Sequence, residues 1–271
     1  MGGVEHLKIG LENTSNTGRN RASLYVNDYL DGGITNGWQK VSIPLDAFAN
    51  LDNRTNGKTL TFVFERSYAD ASGFSRAGAV YIDDVRFSNI SLGTVRIDHF
   101  GDNWGWGALG GNTGDGGLGG TANHSYTNAP GTYNVYPWAF QSGYSVPAVN
   151  NFSYNFIILG GGADGWTAVP CNFSAYRYFK FWARAASAGA NPVSFKIEIQ
   201  STGHTSPPLQ LIIGGLTTTY QLFEVDLNSS SVAPYIDKTA IKQIAIVYEN
   251  FRVTNKSGTV YFDDFEFSAN P

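Results

Sequence analysis

The sequence predicts an all-β protein built from two tandem copies of one antiparallel-strand unit, the first copy incomplete. Two observations carry this. First, the chain repeats itself about 180 residues apart. Gly78-Ala-Val-Tyr-Ile-Asp-Asp-Val-Arg-Phe87 returns at the C-terminus as Gly258-Thr-Val-Tyr-Phe-Asp-Asp-Phe-Glu-Phe267. Three further blocks match in the same order: Leu7–Glu12 with Phe195–Gln200, Trp38–Leu45 with Tyr220–Leu227, and Lys58–Glu65 with Lys242–Glu249. Four collinear blocks with similar spacing mark a domain repeat rather than a short-period solenoid. Second, runs of β-branched and aromatic residues alternate with Gly, Asn, Ser and Pro clusters, the pattern of strands and turns. The 271 residues hold 32 glycines and 14% aromatics, with only 15% charged side chains.

Taken in order, the first copy occupies residues 1–90. It has strands at Leu7–Glu12, Trp38–Leu45, Lys58–Glu65 and Val80–Phe87, with Trp38 opening the second of these as a structural residue. Ser91–Thr94 form a short joint, and residues 95–271 form the complete copy. Only Met1–His6 precede the shared blocks in the first copy, whereas residues 95–194 precede them in the second. Within that stretch, Val95–Asp102 opens as a strand and Gly105–Gly120 reads as a long glycine-rich loop over a sheet. Tyr178–Arg184 is nearly continuously apolar, as a central strand would be. In Phe195-Lys-Ile-Glu-Ile-Gln200 the apolar residues occupy one face and Lys196, Glu198 and Gln200 the other. The same alternation in the last strand puts Tyr261, Asp263, Phe265 and Phe267 on one face, so Asp263 is expected among aromatics. Asp83 follows suit with Tyr81, Val85 and Phe87. A carboxylate in a core is expensive unless it is paired, hydrogen-bonded or metal-bound. The best short helix candidates are Leu45–Leu51 and Thr239–Gln243.

A net charge of −4 with no basic stripe argues against nucleic acid as a partner. No apolar run reaches the roughly 18 residues of a membrane span. The lone Cys171 excludes an intramolecular disulfide and a thiolate metal cluster, and reads as a small buried apolar residue. Met1-Gly2-Gly3 carries no signal-peptide features, so the sequence reads as a fragment of something larger. Eight sequons, at Asn13, Asn53, Asn89, Asn123, Asn151, Asn172, Asn228 and Asn255, are compatible with an extracellular setting.

The Val260–Phe267 ending, the Val95–Asp102 opening and the Gly165-Trp166 pair followed by Asn172–Arg184 together resemble carbohydrate-binding modules. The type is the galactose-binding-like β-jelly-roll superfamily, in the manner of families four, eleven and twenty-two. The resemblance covers most of residues 95–268 and the C-terminal half of a module over 4–89. It implies a jelly-roll β-sandwich and non-catalytic binding of polysaccharide outside the cell. It also implies a structural Ca²⁺ where the first and last strands meet, with Asp263 and Asp98 or Asp102 as carboxylate ligands. The alternative reading of Asp263 is a hydrogen-bonded core acid. The alternative function is a structural or assembly protein whose jelly rolls make subunit contacts, with self-association through the incomplete copy.

The expected ligand contacts are Trp104, Trp106, Tyr136 and Trp138. They sit among Gly, Asn and Thr with little local apolar company, and a flat ring with a polar edge suits the face of a pyranose. Trp166 and Trp182, within or beside apolar strands, are expected in the core. The Gly-rich stretch is no phosphate loop, because it lacks the Gly-Lys-Ser/Thr ending. The four histidines show no metal spacing and no Gly-x-Ser-x-Gly elbow occurs. Glu198 and Glu249 are on solvent-side positions where two carboxylates could meet glycosidase spacing, but paired surface acids are common and no enzyme is expected. Asp115 and Asp164 read as loop acids without partners.

Overall fold

The computed structural model describes residues 7–13, 21–30, 34–35, 37–48, 57–64, 79–85, 87, 94–98, 113–127, 139–159, 167–192, 194–202 and 208–271. It is all-β with several antiparallel sheets, and it divides into two compact units, Met1–Leu92 and Gly93–Pro271.

The first unit has a three-stranded antiparallel sheet in the order β2-β1-β3, from β1 (Leu7–Asn13), β2 (Arg21–Tyr25) and β3 (Gly57–Phe64). Leu7, Leu11, Ala22 and Leu24 are buried on one face. Arg21 pairs with Glu12 at 2.6 Å, and Lys8 Nζ lies 4.3 Å from the Tyr25 ring centroid. The strand expected over Trp38–Leu45 does not form: the segment is irregular, ending in a single 3-10 turn at Leu45–Ala47. Trp38 is 76% exposed, so the structural role expected of it is also wrong.

The second unit is a sandwich of two antiparallel sheets. One has the order β11-β10-β13-β8-β5, from β5 (Thr113–Leu118), β8 (Phe152–Ile158), β10 (Ser194–Ser201), β11 (Leu209–Gly214) and β13 (Ile241–Glu249). The other has the order β12-β9-β14-β7-β6, from β6 (Thr121–Thr127), β7 (Ala139–Ser145), β9 (Tyr178–Ala185), β12 (Gln221–Asp226) and β14 (Ser257–Ser268). β4 (Thr94–Asp98) pairs with the far end of β14. Between the sheets the aromatics interlock. Phe195 meets Phe262 edge-on at 5.6 Å, Tyr144 stacks on Tyr248 at 4.2 Å, and Phe173 stacks on Phe267 at 4.1 Å. Each fully buried Phe contributes roughly 1.5–3 kcal/mol, which makes this aromatic layer the main source of cohesion. Burial pushes the Tyr248 hydroxyl pKa up strongly and that of Tyr144 up to about 12.

The two three-strand sets share order and register. Ile9 is opposite Phe62 and Leu11 opposite Leu60, as Ile197 is opposite Ile246 and Ile199 opposite Ile244. Even the irregularity recurs, between Glu12 and Asn13 in β1 and between Gln200 and Ser201 in β10.

The last strand departs from simple alternation. Its register slips between Asp263 and Glu266, and Asp264 takes a left-handed φ of 48°. The bulge turns Phe265 and Phe267 to the same side as Phe262, into the core, where all three are fully buried. Tyr261 and Asp263 are therefore on the opposite face from Phe265 and Phe267, not the same one as alternation had implied. The corresponding Asp84 also has a left-handed φ, 51°. Two other expectations need correction. Thr239–Gln243 is no helix, because β13 begins at Ile241. Gly105–Gly120 is not wholly loop, because Thr113–Leu118 is an edge strand.

Candidate functional site

The outer face of the five-stranded sheet carries the most developed chemistry among the described residues. Phe152, Tyr154 and Phe156 alternate along β8 with Ser153 and Asn155. The polar pair points inward: both are fully buried, and Asn155 Oδ1 accepts from the Ser142 hydroxyl on the facing sheet. The three aromatics consequently face outward. They form a continuous row along the strand, with centroids 6.2 and 6.1 Å apart, and each is half-buried. The neighbouring edge strand makes room for them. Gly114 is opposite Phe156 and Gly116 opposite Tyr154, and a Cβ at either glycine would run into the ring beside it.

On the other side of the row lies a floor of Ala245 and Val247, which pair with Phe156 and Tyr154. Beyond that floor, and at its end where Glu249 is opposite Phe152, stands a charged lane. Lys196, almost entirely buried, reaches Glu198 at 3.0 Å and Glu249 at 2.9 Å. Glu249 also takes Arg252 Nε at 2.6 Å, and Gln210 Nε2 donates to Glu198 Oε1 at 3.1 Å. Aromatic row, small-residue floor and hydrogen-bonding lane thus run side by side. Such a surface offers apolar contact and oriented polar groups to a flat, hydroxyl-rich ligand. The two carboxylates are tied to cations, so neither is a free acid or base.

A polar chain fastens the sandwich beside this face. Asp115 Oδ1 meets His124 Nδ1 at 2.6 Å and accepts from Asn155 Nδ2 at 2.6 Å. Ser142 Oγ shares a hydrogen bond with Tyr248 OH at 2.8 Å. Asp115 is therefore a strand residue with two partners rather than an isolated loop acid. His124 Nε2 lies 3.0 Å from Thr113 Oγ1, which gives the hydroxyl–imidazole–carboxylate order of a nucleophilic triad. Thr113 is buried, however, and its hydroxyl is shared with Tyr126 OH at 3.1 Å. The arrangement acts as a bolt between β5 and β6.

The residues expected to touch ligand, Trp104, Trp106, Tyr136 and Trp138, lie outside the described residues, as do Asp102, Asp164 and Trp166. Asp98 is on β4, whose backbone pairs with Phe265 next to the bulge, so first and last strands do meet there. Asp263 is fully buried, and its Oδ1 accepts the Asp264 N–H at 2.9 Å. Among the described residues no three His, Cys, Asp or Glu side chains are grouped to hold a metal ion. Trp182 is half-buried on the outer side of the six-stranded sheet rather than sealed in the core. Cys171 is buried and reduced.

Residues 2–89 match the family model for carbohydrate binding domain 30. No curated protein matches the chain. Among solved structures, the chain is similar to a family 11 carbohydrate-binding module from Clostridium thermocellum in complex with a β-1,3-1,4-mixed-linked tetrasaccharide. The identity is 15% over 66% of this chain and 96% of that one, with a TM-score of 0.44. It is also similar to a family 30 module of a cellulosomal cellulase of the same organism, at 13% identity over 66% and 99%, with a TM-score of 0.41.

Proposed function

We propose that this is a non-catalytic polysaccharide-binding protein that works outside the cell, and that its second unit binds glycan on the outer face of the five-stranded sheet. The observation that carries the site is the outward row of Phe152, Tyr154 and Phe156 beside the Lys196–Glu198–Glu249 lane. Apolar ring faces that remain open while Ser153 and Asn155 are buried in their place are explained by a ligand, since contiguous exposed apolar surface marks interaction sites. The match of residues 2–89 to a carbohydrate-binding family supports the same function for the chain, and favours it over the assembly alternative. The shared order and register of β1–β3 with β10, β11 and β13 supports reading the chain as two copies of one module.

Trp104, Trp106, Tyr136 and Trp138 belong to the proposal as additional ligand contacts. A Ca²⁺ ion held by Asp263 with Asp98 or Asp102 and backbone carbonyls is likewise proposed. The buried carboxylate and the meeting of β4 with β14 fit that placement. Its role would be to fasten first strand to last.

The test is affinity electrophoresis of the full chain through gels containing glucan, xylan or mannan. At least one polysaccharide should retard the protein. Tyr154→Ala together with Phe156→Ala should abolish retardation with the fold intact by circular dichroism, whereas Trp104→Ala with Trp106→Ala should weaken it. Unchanged retardation in the Tyr154/Phe156 variant would remove the proposed face. No retardation on any of the gels would remove the function.

A further inference from the structure

The strand that seats the ring row is poorly equipped to hold itself in place. Three of the six residues of β5 are glycine, and Leu118 is 64% exposed on the outer face opposite Phe152. A glycine-rich strand loses more conformational freedom on folding and offers few side chains to pack. β5 is also the last strand of its sheet, laddered to β8. Yet Gly114 and Gly116 must stay against the Phe156 and Tyr154 rings, where an added Cβ would collide with either ring. What anchors β5 inward is the pair Thr113 and Asp115, and both side chains end on one residue of the other sheet. His124 Nδ1 is 2.6 Å from Asp115 Oδ1, and His124 Nε2 is 3.0 Å from Thr113 Oγ1. A carboxylate only accepts, so Nδ1 carries the proton and donates to Asp115. Nε2 of the neutral ring then accepts from the Thr113 hydroxyl, whose oxygen in turn takes the Tyr126 O–H at 3.1 Å. The imidazole is itself fixed, stacked on Phe140 with centroids 5.7 Å apart and planes at 19°. The chain turns the corner of the sandwich through Gly119 and Gly120, with Gly119 at a left-handed φ of 64°, which brings His124 of β6 back to β5.

We propose that His124 is a positioning residue for the glycan face: it grips Thr113 and Asp115, holds β5 against β8, and so keeps Tyr154 and Phe156 in their glycine seats. Asp115 carries the grip to β8 directly. The same Oδ1 that takes the imidazole N–H also accepts from Asn155 Nδ2 at 2.6 Å, and Asn155 stands between Tyr154 and Phe156. Two hydrogen bonds therefore separate the imidazole from the strand that bears the rings. The effect of His124 on binding rests on the glycan reading of that face, whereas its effect on the seating of the rings does not.

His124→Phe removes both ring nitrogens and keeps a flat ring on Phe140, while His124→Gln puts back one donor and one acceptor. Each variant of the full chain is compared with the unaltered protein in three ways. These are hydrogen exchange over Thr113–Leu118, nitration of Tyr154 by tetranitromethane read by peptide mass spectrometry, and retardation in the polysaccharide gels. His124→Phe should speed exchange over Thr113–Leu118 by about tenfold or more, leave Ile241–Glu249 unchanged, nitrate Tyr154 faster and weaken retardation. His124→Gln should recover part of each. Exchange and nitration as slow in His124→Phe as in the unaltered protein would overturn the proposal, as would a loosened β5 with undiminished retardation. A rise in exchange spread equally over Ile241–Glu249 would overturn it too, by showing a general loss of stability rather than a clamp on β5. So would a glutamine variant that recovers nothing, which would leave ring packing as the whole role of His124. If none of the gels retards the unaltered protein, the glycan reading falls, and exchange and nitration alone decide whether His124 seats the rings.

Discussion

Replacing Lys196 by Met removes the cation that two carboxylates share. Glu198 and Glu249 each approach the same nitrogen within 3.0 Å, so their bonded oxygens are no more than about 6 Å apart. At that separation and an effective dielectric near 20, two unit charges repel by about 3 kcal/mol. Removing one partner from a buried ion pair costs about 3–5 kcal/mol. Here Arg252 remains on Glu249 and Gln210 on Glu198, which places the expected loss near the low end, about 3 kcal/mol at pH 7. For a unit of this size that lowers Tm by roughly 6–12 °C. Urea unfolding followed by tryptophan fluorescence at pH 7 measures it, with Lys196→Met/Glu249→Gln expected to recover most of the loss. No recovery in the double variant would show that Lys196 matters through packing alone and that the charged lane is not coupled.

Three further outcomes are expected. Gly116→Ala should push the Tyr154 ring off its seat and weaken polysaccharide retardation without a comparable fall in Tm, which affinity electrophoresis beside a thermal melt will separate. If Ca²⁺ binds around Asp263, calcium at 100 times its Kd should stabilise the second unit by about 2.7 kcal/mol, and Asp263→Asn should abolish the difference between calcium and chelator melts. Because the folded-state pKa of Tyr144 is raised to about 12 from an ordinary 10, its contribution is complete below pH 10 and is lost as pH rises toward 12. Tyr144→Phe should flatten that part of an alkaline stability profile.

The repeat and the strand set were legible because they rest on local pattern. Alternation in Phe195–Gln200 correctly separates Ile197 and Ile199 from Lys196 and Glu198, and the paired blocks fall in one register in both units. What alternation could not reveal is a bulge. The faces of Tyr261 and Phe265 differ because one aspartate adopts a left-handed backbone, and nothing in Tyr-Phe-Asp-Asp-Phe announces that except the Asp-Asp pair itself. The strand expected at Trp38–Leu45 failed for a tertiary reason. Its counterpart β12 pairs with β9, and no strand equivalent to β9 is present among the described residues of the first unit. A strand that depends on a distant partner is invisible to a local pattern when that partner is missing.

The proposed binding face was hidden by a different ambiguity. Phe152-Ser-Tyr-Asn-Phe156 is a clean two-residue alternation, and by hydrophobicity alone the rings belong inside. The period fixes which residues share a face, but not which face meets the core. Here the polar side wins the interior because Asn155 has partners waiting at both ends: the Ser142 hydroxyl on the facing sheet and Asp115 on the neighbouring strand. Each ring is already half-buried, so the chain forgoes about half of the roughly 1.5–3 kcal/mol that full burial of an aromatic side chain contributes. It also leaves Ser153 Oγ buried without a hydrogen-bond partner, a cost of about 1–3 kcal/mol. Stability alone gives no reason for this inversion, since exchanging the two faces would bury more apolar surface and free the polar groups to meet water. A surface that must present ring faces to a ligand does give one. The glycines of β5 point the same way, because side chains at Gly114 and Gly116 would strengthen an edge strand yet displace the rings beside them.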